Sequence, residues 1–114
     1  MRSMRNKSKY NNRKIVYEGM TFDSVKEKCR SIQLRMLERS GAISGLQRQV
    51  RYVLIPSQRQ EKKVIERACC YYADFVYTKN GELIVEDTKG VRTPEYRIKR
   101  KLMLYVHGIK IREI

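Results

Sequence analysis

The 114-residue sequence carries 26 Lys and Arg against 12 Asp and Glu, a formal charge of +14, with 41% hydrophobic residues. That length predicts one domain with a modest core, and that charge predicts a polyanionic partner, foremost nucleic acid, whose phosphates release counterions when neutralised. No run approaches the ~20 apolar residues of a membrane span and no apolar segment follows the basic N-terminus as in a signal peptide, so a cytoplasmic chain without a membrane partner is expected.

Three cysteines, Cys29, Cys69 and Cys70, and a single histidine, His107, offer neither a disulfide framework nor a zinc ligand set. Residues 1–14 hold Arg2, Arg5, Lys7, Lys9, Arg13 and Lys14 with no acid before Glu18. They are expected to be a flexible basic arm, with Lys14 among its phosphate contacts, ahead of a single domain over 15–114. The stretch FDSVKEKCRSIQLRMLERSG spaces Phe22, Val25, Cys29, Ile32 and Met36 at three and four residues, predicting a helix that ends at Gly41. Ser24 and Glu27 stand at the spacing of a capping box. Val50, Tyr52 and Leu54 alternate before Pro56, a short strand stopped by proline. The polar SQRQEKKVIERA is expected to be a loop or long hairpin connection whose Arg59, Lys62 and Lys63 meet phosphates.

Two apolar runs follow, separated at Asn80-Gly81, the strongest short hairpin signal because both central positions of a type I′ turn need positive φ. Tyr71, Tyr72 and Tyr77 fall in the first run as half-buried strand residues. After Gly90, Thr93 caps a second helix with Pro94 in its first turn. Ile98, Leu102, Tyr105 and Val106 are its expected apolar stripe, Lys99, Arg100 and Lys101 its phosphate-facing side, and His107 its C-terminal end. Alternation in GIKIREI gives a last short strand. The order helix, strand, two-stranded hairpin, helix, strand defines a small mixed α/β domain.

The hairpin turn fixes a register. With Asn80 and Gly81 as loop residues, Lys79 faces Glu82, and the ladder carried back sets Asp74 directly opposite Asp87. Lys89 shares their face and Glu86 points to the other. Opposed like charges destabilise a sheet, and burial would worsen this by raising both carboxyl pKa values. A divalent cation between the oxygens, a shared proton or compensation by Lys89 would each relieve it. Hard oxygen ligands suit Mg²⁺, and a lysine beside them can orient water and offset phosphate charge. The plain alternative is an exposed hairpin face with a Lys–Asp ion pair.

An acid in one strand followed by acid-x-Lys in the next, Asp74 and then Asp87-Thr88-Lys89, resembles the PD-(D/E)XK nuclease superfamily. More closely, the chain is similar to small phage endonucleases related to Holliday-junction resolvases. The likeness is carried by FDSVKE at 22–27, GAISGLQRQ at 41–49, ADFVY at 73–77, VEDTKG at 85–90, KRKLM at 99–103 and GIKIREI at 108–114. Ala73 replaces the superfamily's nominal proline. The resemblance implies a restriction-endonuclease-like core of order α-β-β-β-α-β, a mixed sheet flanked by helices. It implies dependence on Mg²⁺ or Mn²⁺ without an organic cofactor, and a homodimer. Asp74, Asp87 and Glu27 would be the metal ligands and Lys89 the fourth catalytic group, with Gln49 and Glu86 as possible accessories; Glu86 would serve only through a strand bulge. The expected function is an endodeoxyribonuclease acting on Holliday junctions or other branched DNA in phage recombination or replication, in the bacterial host cytoplasm. The alternatives are a non-catalytic basic nucleic-acid-binding protein and a nuclease without junction selectivity.

Overall fold

The computed structural model describes residues 14–114; the basic arm, apart from Lys14, lies outside them. The elements run β1 (Ile15–Tyr17), β2 (Met20–Phe22), α1 (Val25–Ser40), β3 (Ser44–Ile55), β4 (Gln58–Gln60), β5 (Lys63–Glu66), β6 (Cys69–Lys79), β7 (Glu82–Asp87), α2 (Pro94–His107) and β8 (Arg112–Glu113). The central sheet has the order β3-β6-β7-β8. Its first two pairings are antiparallel, and β8 returns parallel to β7 through α2. This is the expected mixed α/β arrangement, extended by two small ribbons, β1–β2 and β4–β5.

Local chemistry sets the ends of the elements. Ser24 Oγ accepts from the backbone N–H of Glu27 at 3.1 Å to open α1, and Gly41 closes it at φ +85°. Thr93 opens α2 in the same way through Tyr96 N–H, with Pro94 in the first turn. Asn80 and Gly81 have φ of +51° and +78°, so the predicted turn forms and Lys79 pairs with Glu82, Val76 with Val85 and Phe75 with Glu86.

Both predicted helix stripes need correction. In α1 the buried residues are Glu27, Ser31 and Leu34, whereas Val25 and Met36 are 58% and 61% exposed and Cys29 is exposed. In α2, Tyr96 and Met103 are buried, while Ile98, Tyr105 and Val106 are exposed and Leu102 is only partly covered. Apolar spacing misled in both cases because the inward positions carry polar atoms that find partners inside. Glu27 accepts from Asp23, Arg48 and Gln49, and the hydroxyl of Tyr96 donates to Glu113.

Leu54, Tyr71, Ala73, Val85, Tyr96, Met103 and Ile111 form one core cluster, and Leu34, Ile43, Phe75 and Tyr77 form a second. A buried ion pair joins α1 to the sheet. Glu86, fully buried, accepts from Arg30 Nε at 2.9 Å and Nη2 at 2.6 Å, and also from the Tyr77 hydroxyl. Burial and this carboxylate both push the Tyr77 phenol up. At the chain's end Glu113 accepts from Arg92, Arg100 and Tyr96, clamping β8 to α2. Those donors hold its carboxyl down at about 2. All three cysteines are free, and no described helix is long and apolar enough to cross a membrane.

Removing one partner of a buried ion pair strands the other without compensation. Arg30→Ala is therefore expected to lower unfolding free energy by about 3 kcal/mol or more, read by urea denaturation. A change below roughly 1 kcal/mol, the scale of an exposed pair, would show that Glu86 does not depend on Arg30.

Candidate active site

The β6–β7 register carries through Phe75 and Glu86, so the next row outward places Asp74 against Asp87. On the other side of β6, Arg48 pairs with Phe75 and Val50 with Ala73, which brings Gln49 level with Asp74. One row of the sheet thus runs Gln49, Asp74, Asp87, with Glu113 of β8 beyond it.

Gln49 is the irregular member. Its φ of +52° is left-handed, in the middle of a strand and without glycine, a strained state that needs support from its surroundings. The twist has a visible result. Neighbours in a regular strand point to opposite faces, yet Arg48 Nη2 and Gln49 Nε2 both reach Glu27 Oε2, at 3.4 and 3.2 Å. The same Gln49 Nε2 donates to Asp74 Oδ1 at 3.2 Å. One amide therefore bridges the helix acid and the strand acid.

Glu27 caps and faces the site at once. Its Oε1 accepts from the backbone N–H of Asp23 at 3.2 Å, while Oε2 turns toward Gln49. Burial first, and then the charge of Asp74, raise its pKa. Asp74 Oδ2 accepts from Thr88 N–H at 2.9 Å and Thr88 Oγ1 at 2.8 Å, so the residue between Asp87 and Lys89 anchors the opposing acid.

Asp87 is 2% exposed. Burial pushes its carboxyl up to about 7; Asp74 opposite adds to the rise, while the Tyr71 hydroxyl and Lys89 oppose it. Tyr71 donates to Oδ2, and its own phenol is raised by burial and by this carboxylate. Lys89 Nζ lies 3.7 Å from Asp87 Oδ1 and 4.7 Å from the centre of the Tyr96 ring. The ring face holds the ammonium beside the carboxylates and open to solvent on one side.

Glu27, Asp74, Asp87 and Lys89 thus come together, and Gln49 joins them. Glu86 does not: it occupies the row with Arg48 and Phe75 and is taken by Arg30 and Tyr77. Sequence reading left out Tyr71, Thr88 and Arg48, all of which touch the acids. The tyrosine was visible only as a strand residue, because a hydroxyl that reaches an acid on the adjacent strand, far away in the chain, leaves no periodic mark.

The expected phosphate contacts are dispersed. Lys14 pairs with Asp23 on the surface, Lys99 with Glu95 at 3.2 Å and Arg100 with Glu113. Arg59, Lys62, Lys63 and Lys101 are exposed. His107 ties the end of α2 to β3, its Nε2 lying 2.8 Å from the Val53 carbonyl oxygen.

Fold and site define a mixed α/β protein with two facing strand carboxylates, a helix carboxylate and a lysine. The chain belongs to the family described as "Protein of unknown function (DUF1064)", which it matches over residues 7–112. No curated protein and no solved structure matches it.

A carboxyl whose folded pKa is raised binds its proton more tightly in the folded state, so its contribution favours folding at low pH and is lost as pH rises through about 7. Asp87→Asn removes that loss. In chelator at pH 8 the variant is expected to melt higher than the parent by several degrees or more, and below about pH 4 the gain should shrink. A gain that is equal at both pH values would remove Asp87 as the source.

Proposed function

We propose that this protein is a divalent-cation-dependent endodeoxyribonuclease with a restriction-endonuclease-like core, acting on branched DNA. The observation that carries the reading is the facing pair Asp74 and Asp87 with Lys89 3.7 Å from the latter. The preference for branched DNA and the homodimeric state rest on the sequence resemblance to phage endonucleases alone.

The donor set fits a hard cation. Asp74, Asp87 and Glu27 offer carboxylate oxygens, the chemistry that Mg²⁺ or Mn²⁺ prefers. Among the described residues no group of three or more His, Cys, Asp and Glu side chains is arranged to hold a metal ion. Gln49 and Thr88 instead take up the oxygens of Asp74, and Tyr71 one of Asp87. A bound cation would supply Lewis acidity at the phosphoryl group and relieve the repulsion between the acids.

The chain's own residues do the rest. Lys89 presents an ammonium to the phosphoryl oxygens and orients water for attack. Water oxygen bonds to phosphorus as one ester P–O bond breaks; the water proton passes to solvent and the leaving oxygen acquires one. Gln49 holds Glu27 and Asp74 in register, and the basic surface binds phosphates without reading bases.

The test is incubation of the purified protein with labelled four-way junction, linear duplex or single strand, in Mg²⁺, Mn²⁺ or chelator. Metal-dependent cutting is expected, with the junction preferred. Asp74→Asn and Lys89→Ala should each slow it by about 100-fold or more while DNA affinity in chelator stays within about threefold. Binding without cutting under any condition would favour a non-catalytic nucleic-acid-binding protein. Equal cutting of linear and branched DNA would remove the junction preference and keep the nuclease.

A further inference from the structure

We infer that the β4–β5 ribbon is an arm that enters a groove of double-stranded DNA, with Lys62 at its tip held for that purpose. Every residue from Ile55 to Ala68 is exposed, and β4 and β5 pack substantively only against each other. A lone two-stranded ribbon is marginal in water, so this one gains little for the fold. Its surface carries Arg59, Lys62, Lys63 and Arg67 against Glu61 and Glu66.

The turn supplies the second, independent observation. Glu61 and Lys62 have φ of +51° and +71°, the left-handed pair that a type I′ turn requires. At the β6–β7 hairpin the same chain meets this need with Asn80-Gly81. Here it places two long charged side chains where both conformations are strained. Strain kept at a tip that packs on nothing points to use of the side chains themselves.

A two-stranded ribbon fits the major groove, about 12 Å wide. Directly paired residues share a face, so the Arg59–Val64 and Gln60–Lys63 pairs put a cation on each side of the ribbon, toward each bordering phosphate strand. A second copy of this chain suits the surface less well, because each copy would bring the same basic excess. The inference rests on DNA being the partner in the proposed function, and not on cleavage. The base of the ribbon lies about 20 Å along β3 from Gln49, at roughly 3.3 Å per residue, so changing it leaves the carboxylates untouched.

The experiment measures duplex affinity against salt in chelator, for the full chain and two variants. In one, Ser57–Arg67 are replaced by an Asn-Gly turn, which the ladder can accept because β3 and β6 still pair at Ile55 and Cys69. In the other, Lys62→Gly relieves the strained φ and so should raise the melting temperature whatever the ribbon does. Excision is expected to weaken binding about tenfold or more near 100 mM salt and to reduce the salt slope by about 2 to 3. Lys62→Gly should bind about threefold more weakly despite its higher melting temperature, and its slope should fall by about 1. Unchanged affinity and slope in both variants would overturn the inference. So would excision that turns a dimer into a monomer without lowering affinity, which would make the ribbon a subunit contact. A parent that binds duplex through the ribbon but cuts nothing would instead sink the nuclease reading alone.

Discussion

Two carboxylates set opposite each other on paired strands repel, and burial of one of them makes the repulsion stronger. Asp74 and Asp87 are in this position because a two-residue turn fixes the register of β6 and β7. Much of the neighbouring structure answers that conflict. Thr88 and Gln49 donate to Asp74, Tyr71 donates to Asp87, and Lys89 stands alongside. Burial pushes Asp87 toward a neutral form near pH 7 even so. Such a cost persists only where the rest of the fold outweighs it.

The counterweights lie on either side of the site. Arg30 and Tyr77 give partners to both oxygens of Glu86 inside the sheet–α1 contact, so this adjacent buried acid is compensated by a guanidinium and a hydroxyl. The clamp of Glu113 on Arg92, Arg100 and Tyr96 does the same where β8 meets α2. Tyr96 links the two regions, since its ring also faces Lys89. Three neighbouring acids, Glu86, Asp87 and Glu113, thus differ sharply in their partners: two have fixed cations, and the third has an ammonium 3.7 Å away that remains partly open to solvent.

The site was legible in sequence where local chemistry fixes long-range geometry. Asn80-Gly81 fixes the register, and the register fixes which acids face each other. The caps at Ser24, Thr93 and Gly41 were legible for the same reason, because a cap is a contact within a few residues. Helix orientation was not. Apolar periodicity assigned Val25, Cys29 and Met36 to the core, but α1 turns Glu27 and Ser31 inward. A polar residue with a partner inside defeats any reading that equates burial with hydrophobicity. Gln49 shows a further limit: its left-handed backbone has no glycine to announce it, yet this kink lets one amide touch both Glu27 and Asp74.

The placement of charge completes the physical picture. Acids are scarce, 12 against 26 basic residues, and the buried ones are Glu27, Glu86 and Asp87. Of the exposed acids, Glu18, Asp23 and Glu95 are paired with Arg35, Lys14 and Lys99. Much of the negative charge is thus drawn inward or paired, with Glu38, Glu61, Glu66 and Glu82 remaining exposed, and the positive excess faces solvent. A polyanion is attracted to such a surface from a distance set by salt screening, about 8–10 Å at ordinary ionic strength. At the carboxylates the sign reverses over the last few ångströms. Under the proposed function a phosphodiester approaching there would meet Lys89 as the near cation with two acids behind it, so close approach would need their charge reduced, by a proton on Asp87 or by a cation held between them. On the proposed reading the basic surface supplies affinity and the acidic row withholds the final contact until that condition is met. Binding and cleavage would then respond separately to pH and to divalent ions, because different parts of the charge distribution govern them.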